Sequence, residues 1–356
     1  MADLGDLRAL IDRIDGDLVR LLAERAEVSA RVGERKREAG ESALDAARER
    51  ELIERLSQES RGQFPLAGLQ AIFREILSAS RAIQGEFRVG YLGQPGGFAH
   101  QAADRRFGNS STYEPVSSPQ HLLERIESER LEYGVFAMEG DPEDPAFDAF
   151  DLFLTAEAQI VAEFVDVAGY QALGYAASPE RLYAHPSALS LCQRWSASLP
   201  PHVEIRSVPG SQEAGRAASE DRSALCLAPP IVARSFNLPV TEAAAEDAPR
   251  RPRRFLVLGA GESRPSGRDK TIVMIALENR PGRLLEALRR LAAHEVNVGW
   301  IESRTHRWRP GEHLFLLELA GHRGEPALRE ALEELRPATL LHRVLGSFPA
   351  ADSSAW

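Results

Sequence analysis

Arg25, Lys36, Asp45, Arg48, Glu49, Ser80 and Gln84, with Arg8 upstream, are the N-terminal residues whose types and spacing could do chemistry. They offer cations, carboxylates, a hydroxyl and a carboxamide, and none is a histidine or cysteine nucleophile. This inventory does not support covalent catalysis. It fits a unimolecular rearrangement of a dicarboxylate, in which the protein need only hold one conformer and stabilise developing charge. Guanidinium groups suit that task because they meet a carboxylate through two hydrogen bonds at once.

Helices must position these groups. Leu7, Ile11, Ile14, Leu18, Leu21, Leu22, Val28 and Val32 recur at spacings of three and four, which predicts one long helix. On it Arg25 and Lys36, eleven residues apart, leave the same face about 16 Å from each other. A small dianion fits between them. Arg8 lies seventeen residues before Arg25 and points about 100° away, so it is expected to serve a partner's pocket. Asp45, Arg48 and Glu49 fall at i, i+3 and i+4 and are expected on one face of a second helix. Gly62, Pro65 and Gly68 then break the pattern, and Leu69 to Ile83 resume it as a third helix, with Ser80 and Gln84 sharing a face. Any one of these charges would read as the wet face of an amphipathic helix. Together they read as three helices holding an anion pocket.

The whole chain has 356 residues, enough for two or three domains. It is 43% hydrophobic and 27% charged, and its net charge of −10 without a long basic stripe argues against a nucleic-acid partner. The N-terminus lacks the basic and apolar regions of a signal peptide and no run is apolar enough for a membrane span, so a cytoplasmic setting is expected. Cys192 and Cys226 lack metal-ligand spacing and are expected as buried thiols. No metal or other cofactor is called for.

From Phe87 the periodicity changes. Residues 88–93 read as a strand running into a Gly-rich turn at Gln94–Gly97 and a helix from about His100. Tyr133–Ala137 and Gln159–Val165 read as further strands, with helical segments at 119–130, 186–197 and 211–219. That alternation indicates an α/β domain with a cleft between two lobes. Residues 261–269 read as a linker. Strands over 271–277, 296–304 and 312–319 and helices over 283–294 and 325–335 then follow as β-α-β-β-α, which suggests the β-α-β-β-α-β order of a ferredoxin-like module.

The N-terminal pieces resemble the all-helical chorismate mutase domain of the P-protein family, the bifunctional chorismate mutase–prephenate dehydratases, and the likeness continues along the chain. It implies three domains: residues 1–86, a three-helix chorismate mutase forming an intertwined dimer; 87–260, a two-lobed α/β dehydratase-like domain; and 270–350, an α+β ACT regulatory domain. The resemblance assigns Arg25, Arg48 and a second subunit's Arg8 to the carboxylates of chorismate. It assigns Lys36 and Gln84 to the ether oxygen, Asp45 and Glu49 to the ring hydroxyl, and Ser80 to the same wall. Breaking the ether C–O bond builds negative charge on that oxygen, where two preplaced donors lower the barrier.

Tyr91-Leu-Gly, Phe98-x-His100-Gln-Ala, Tyr133-Gly-Val, Ala184-His185-Pro186 and Arg254-Phe255-Leu-Val-Leu-Gly259 match the dehydratase. The active-site signals depart from it. Only Glu139 survives of Pro-Ile-Glu-Asn-Ser, Arg253 replaces the threonine that assists loss of the hydroxyl, and Gly97 replaces another threonine. The expectation is a dehydratase-like cleft containing Glu139, Arg253, Arg254 and Phe255, with weak or absent turnover. The alternatives are a fully bifunctional enzyme making phenylpyruvate and a non-catalytic sensor of aromatic intermediates. In the last domain Asn279-x-Pro281-Gly282 and Glu302-Ser303-Arg304 match ACT motifs, which implies phenylalanine as an effector, while Arg283 and Thr305 depart from them.

Overall fold

The computed structural model describes residues 3–39, 45–60, 62–138, 150–247, 252–305 and 312–351. The long apolar repeat forms α1 (Leu4–Ala39), 36 residues in one helix. It is followed by α2 (Ala46–Glu59) and α3 (Leu66–Gln84). The break expected at Gly68 does not occur. Pro65 is the N-cap of α3, and Gly68 sits inside its first turns beside the Phe64 ring, because a helix absorbs one glycine at a cost of only about 1 kcal/mol. Residues 4–24 of α1 are exposed throughout, including Leu7, Ile11, Ile14, Leu18, Leu21 and Leu22. The stripe that the sequence marks as apolar is therefore uncovered in the single chain.

A two-lobed α/β domain follows. Its first lobe comprises β1 (Arg88–Leu92), α4 (Phe98–Phe107), β2 (Thr112–Val116), α5 (Pro119–Glu127), β3 (Tyr133–Ala137) and β4 (Gln159–Asp166). The chain then crosses into the second lobe through β5 (Gln171–Leu173), β6 (Arg181–Ala184), α6 (Pro186–Leu191), α7 (Gln193–Ala197), β7 (Glu204–Ser207), α8 (Ser211–Glu220), β8 (Ala224–Ala228), α9 (Pro230–Ser235) and β9 (Val240–Glu242). It returns to the first lobe as β10 (Arg253–Gly259). The two sheets run β2-β1-β3-β10-β4 and β7-β6-β8-β5-β9. The helix expected over 186–197 is divided at Cys192, which ends α6.

The last module contains β11 (Asp269–Glu278), α10 (Arg283–Ala293), β12 (Val298–Thr305), β13 (Glu312–Ala320), α11 (Pro326–Leu335) and β14 (Leu341–Pro349). Its antiparallel sheet has the order β12-β13-β11-β14, the ferredoxin-like arrangement. Alternation along β11 sends Ile272, Met274 and Ala276 into a core shared with Leu256, Leu258 and Phe153 of the first lobe. Val273, Ile275 and Leu277 face the other way, into a core closed by α10 and α11. Gly346 of β14 touches β4 so closely that a Cβ would lie 2.0 Å from the Ile160 carbonyl oxygen. This module is thus fused to the α/β domain by packing. Among the described residues, no helix is long and apolar enough to cross a membrane.

Candidate active site

The groove between α1 and α3 collects part of the N-terminal set. Arg25 donates from Nη1 to Ser80 Oγ, and Ser80 in turn donates to the Ile76 carbonyl at 2.7 Å. Gln84 lies against Gly33, where a Cβ would come within 2.5 Å of Gln84 Cγ. One turn further along α1, Lys36 is close enough to Glu49 for its charge to help hold that carboxyl ionised. Glu49 is largely enclosed. It accepts from Arg81 Nη1 on α3 and, at 2.8 Å, from Arg106 Nη1 on α4. Burial by itself would raise its pKa, but Arg106, Arg81 and, less strongly, Lys36 outweigh that and hold it below the ordinary carboxylate value.

The other three candidates lie elsewhere. Asp45 is the N-cap of α2, with φ −123° and ψ 88°, and its carboxylate accepts from the Arg48 amide at 2.9 Å. Because an N-cap is not helical, the expected i, i+3, i+4 face does not extend to it. Arg48 has a side chain 66% exposed and pairs with Glu51 at 3.3 Å. Adjacent helical positions are about 100° apart, so with Glu49 turned inward Arg48 turns out. Arg8 is exposed on the free part of α1. The structure thus gathers Arg25, Ser80 and Gln84 at one groove with Lys36 and Glu49 at its end, and leaves Asp45, Arg48 and Arg8 outside.

Sequence reasoning passed over Arg81 and Arg106, whose side chains are only 4% and 6% exposed. Arg81 could have been noticed as a charge between Ser80 and Gln84 in the apolar second half of α3. Arg106 had no signal, since 57 residues separate it from Glu49.

In the α/β domain, β10 divides the expected cleft residues by strand alternation. Arg253 donates to the Ala168 carbonyl at 2.7 Å and to Glu246 at 2.9 Å, with its guanidinium 3.7 Å from the Phe98 ring centroid. It therefore ties together the two crossovers between the lobes. Phe255 is buried core, stacked on Phe164 with centroids 5.4 Å apart. Arg254, on the opposite face, leaves the cleft and bonds Glu163 at 2.7 Å and Glu318 of β13. Lys270 completes that cluster at 2.8 Å from Glu163 and 3.3 Å from Glu318. The cleft expected to hold all three is thus left with Arg253 alone, and Glu139 lies outside the described residues.

The lobes also meet where Gly96, at φ +80°, abuts α8; a Cβ would lie 2.9 Å from the Gln212 amide nitrogen. Gln101 bridges Asp166 at 2.7 Å and the Ile231 amide at 3.1 Å. His100 stacks on Tyr91 at 4.6 Å and accepts from the Gly96 amide, and burial lowers its pKa. It is a neutral imidazole near pH 7. Gly97 caps α4 without a side-chain hydrogen bond.

In the last module Asn279, Pro281 and Gly282 form the exposed turn before α10, with Gly282 at φ +86°. Glu302 and Arg304 pair with each other at 2.7 Å on β12. Ser303 pairs in register with Phe315, and Phe315 with Ile275, so both motifs lie at one end of the sheet, two strands apart. Arg283 is drawn to Glu286 at 2.8 Å. Cys192 and Cys226 are both buried, with thiols pushed up to about 12 by that burial. Among the described residues, no three His, Cys, Asp or Glu side chains converge as a metal ion would require.

Comparison with known proteins adds independent findings. Residues 7–85 match the family of type II chorismate mutases, and residues 89–263 match prephenate dehydratase. The bifunctional chorismate mutase/prephenate dehydratase of Aquifex aeolicus is 34% identical, with 99% of each chain covered. Its counterpart in Pseudomonas aeruginosa is 28% identical over 99% of this chain and 100% of that one. Among solved structures, prephenate dehydratase from Arthrobacter aurescens in complex with L-Phe has a TM-score of 0.65 at 23% identity, covering 76% of this chain and 92% of that one. The quorum quenching acylase GqqA has the same TM-score and identity over 74% and 98%. At that identity, both likenesses concern the fold alone.

Proposed function

Since the chain belongs to the bifunctional chorismate mutase/prephenate dehydratase family, we propose that its helical domain converts chorismate to prephenate in aromatic amino-acid biosynthesis. The observation that carries this reading is the α1–α3 groove, where Arg25 and Gly33 of α1 meet Ser80 and Gln84 of α3 and Lys36 follows on α1 near Glu49. Arg25 meets a substrate carboxylate. Lys36 and Gln84 donate to the ether oxygen as its bond to carbon breaks, and Glu49 accepts from the ring hydroxyl. No proton is transferred and no covalent enzyme intermediate forms, so the rate gain comes from conformer selection and preorganised charge. A second copy covers the apolar stripe of α1 and contributes Arg8, an arrangement supported by the exposure of residues 4–24. On this reading Arg48 and Asp45 reach the substrate only by reorienting.

The α/β domain is read as a prephenate-binding unit of reduced dehydratase turnover. Its support is Arg253, which stands where the family has a threonine and is committed to Ala168, Glu246 and Phe98. A guanidinium does not release a proton at neutral pH. The second reading, a fully bifunctional enzyme making phenylpyruvate, is favoured by the end-to-end match to the Aquifex protein. The last module is read as an ACT domain that binds phenylalanine between two copies through Asn279–Gly282 and Glu302–Arg304. Its support is the shared sheet end of the two motifs.

One assay tests these readings. The purified chain is given chorismate or prephenate, with and without phenylalanine, and the products are identified. The expected result is prephenate from chorismate, with little phenylpyruvate above the spontaneous rate. Phenylpyruvate formed from prephenate at about 1 s⁻¹ or faster, an ordinary enzymatic turnover, establishes the bifunctional reading. No turnover of either substrate rejects both in favour of a sensor. Rates indifferent to millimolar phenylalanine reject it as an effector of either activity.

A further inference from the structure

Glu49 of the mutase domain is held from two sides, and one side belongs to the next domain. Arg81 on α3 reaches one carboxylate oxygen and Arg106 on α4 reaches the other at 2.8 Å. Arg81 is itself anchored by donating to the Phe107 carbonyl at 2.9 Å, with Phe87 and Phe107 rings 5.4 and 5.8 Å from its guanidinium carbon. The backbone after α4 reads α3 directly. Asn109 donates from its amide and its carboxamide to Glu75, both at 3.0 Å, and the Ser110 amide donates to Ser78 Oγ at 3.1 Å. Gly108, at φ +80°, lets the chain approach so near that a Cβ would lie 2.6 Å from Ser78 Cβ. The location of Arg106 relative to Glu49 is therefore set by several contacts around the pair.

We propose that Arg106, a residue of the dehydratase-like domain, is a positioning residue for the mutase pocket: it fixes the Glu49 carboxylate within reach of the Lys36 charge, so that the neighbouring domain completes the mutase site. This inference rests on the mutase reading above and goes beyond it, because the domain boundary separates Arg106 from the residues to which mutase chemistry was assigned. Each Glu49 oxygen accepts one guanidinium N–H and keeps a lone pair for a substrate hydroxyl. Two fixed forks remove the rotational freedom that a lone glutamate would lose on binding substrate. They also keep the group an acceptor. A buried carboxylate without cations takes up a proton and turns from acceptor to donor.

The charges facing Glu49 come from every element around it. They are Lys36 from α1, Arg81 and Arg74 from α3, Arg106 from α4 and Glu163 from β4, with Arg50 and Glu54 on α2 itself. Arg106 is the strongest of the cations that lower its pKa. Replacing it removes the strongest of these cations and leaves burial opposed by the weaker ones, Arg81 and Lys36 foremost. The Glu49 pKa then rises, and mutase activity declines as pH falls through that raised value.

The test uses the full chain and compares Arg106→Gln, Arg106→Lys, Glu49→Gln and the Glu49→Gln/Arg106→Gln double variant, measuring kcat and KM for chorismate across pH. Arg106→Gln is expected to lower kcat/KM about ten- to a hundredfold, the loss typical of one charge-assisted hydrogen bond, and to make it fall at acid pH where the unmodified chain stays level. Arg106→Lys should restore the level profile. In the Glu49→Gln background, Arg106→Gln should cost nothing further, since its target charge is gone. An active Arg106→Gln variant with unchanged kcat/KM and pH profile overturns the inference, as does an undiminished loss in the Glu49→Gln background. An unmodified chain without mutase activity overturns the mutase reading itself, a result distinct from either.

Discussion

The chain's 43 basic residues include two lysines, Lys36 and Lys270. Lysine supplies a compact ammonium with rotatable donors, suited to a single oxygen, whereas arginine supplies a planar fork suited to a carboxylate. Lys270 is used structurally, between Glu163 and Glu318. Lys36 lies near Glu49 on α1, and on the proposed reading it is the amine that bound substrate would cover. Amine-selective acylation followed by mass spectrometry is therefore expected to label Lys36 in the free protein, and chorismate should suppress that labelling without protecting Lys270. Equal protection of both, or of neither, would remove Lys36 from the pocket. Lys36→Ala and Arg25→Ala are each expected to lower kcat by about 10² to 10³, as deletion of a preorganised donor to developing charge does. Near-normal rates in both would reject the site assignment.

Among the elements, α1 and α3 are held at a distance that only glycine allows. Gly33 faces Gln84 Cβ and Cγ, and a methyl group there meets them at 2.8 and 2.5 Å. On propensity alone, Gly33→Ala stabilises a helix interior by about 1 kcal/mol. The contact requires Gln84 to move instead, and α3 with it. The expected outcome is a variant that stays folded, with a thermal midpoint near that of the parent, but loses mutase activity at least tenfold. The measurement is a melting curve beside a chorismate assay. Full activity would show that Gln84 need not sit against α1, and a collapsed midpoint would show that Gly33 matters for folding rather than for the groove.

Across the whole molecule, the domains share interior groups. Glu163 receives Arg254, Lys270 and the Ala351 amide, the last at 2.7 Å, and so joins the first lobe to the final module. A cavity of about 380 Å³ lies where α2, β4 and residues 349–351 meet, bordered by Glu49, Arg106 and Glu163. Among the described residues, residues 4–24 of α1 remain exposed. If a second copy covers them and Arg8 acts across the interface, mixing Arg8→Ala with Arg25→Ala subunits should restore about a quarter of the normal sites. At random exchange about half of the dimers are mixed, and each mixed dimer carries one intact site of two. The measurement is chorismate turnover after exchange has been demonstrated by mass-tagged subunits. No recovery would place Arg8 outside the pocket.

What the sequence determined by itself is what a short window encodes. The apolar period marked α1, the spacing of Arg25 and Lys36 put them on one side of it, and the run over 271–277 marked β11 as a strand. Each follows from geometry repeated every few residues. The three-helix, α/β and ferredoxin-like stretches were legible for the same reason, and their likeness to mutase and dehydratase through motifs rather than period, while β5 to β9, three to five residues each, carried too little period to be read. Tertiary structure alone decided which side chains meet. It brought Arg106 to Glu49 across 57 residues, sent Arg254 to Glu318 across 64 and drew Arg253 to Ala168 across 85. It also turned Arg48 toward solvent, because once packing buries one face of α2 every other position on that helix is fixed in phase. A pattern in sequence specifies that a face is polar or apolar; the partner of each charge is chosen by the packing of elements distant along the chain.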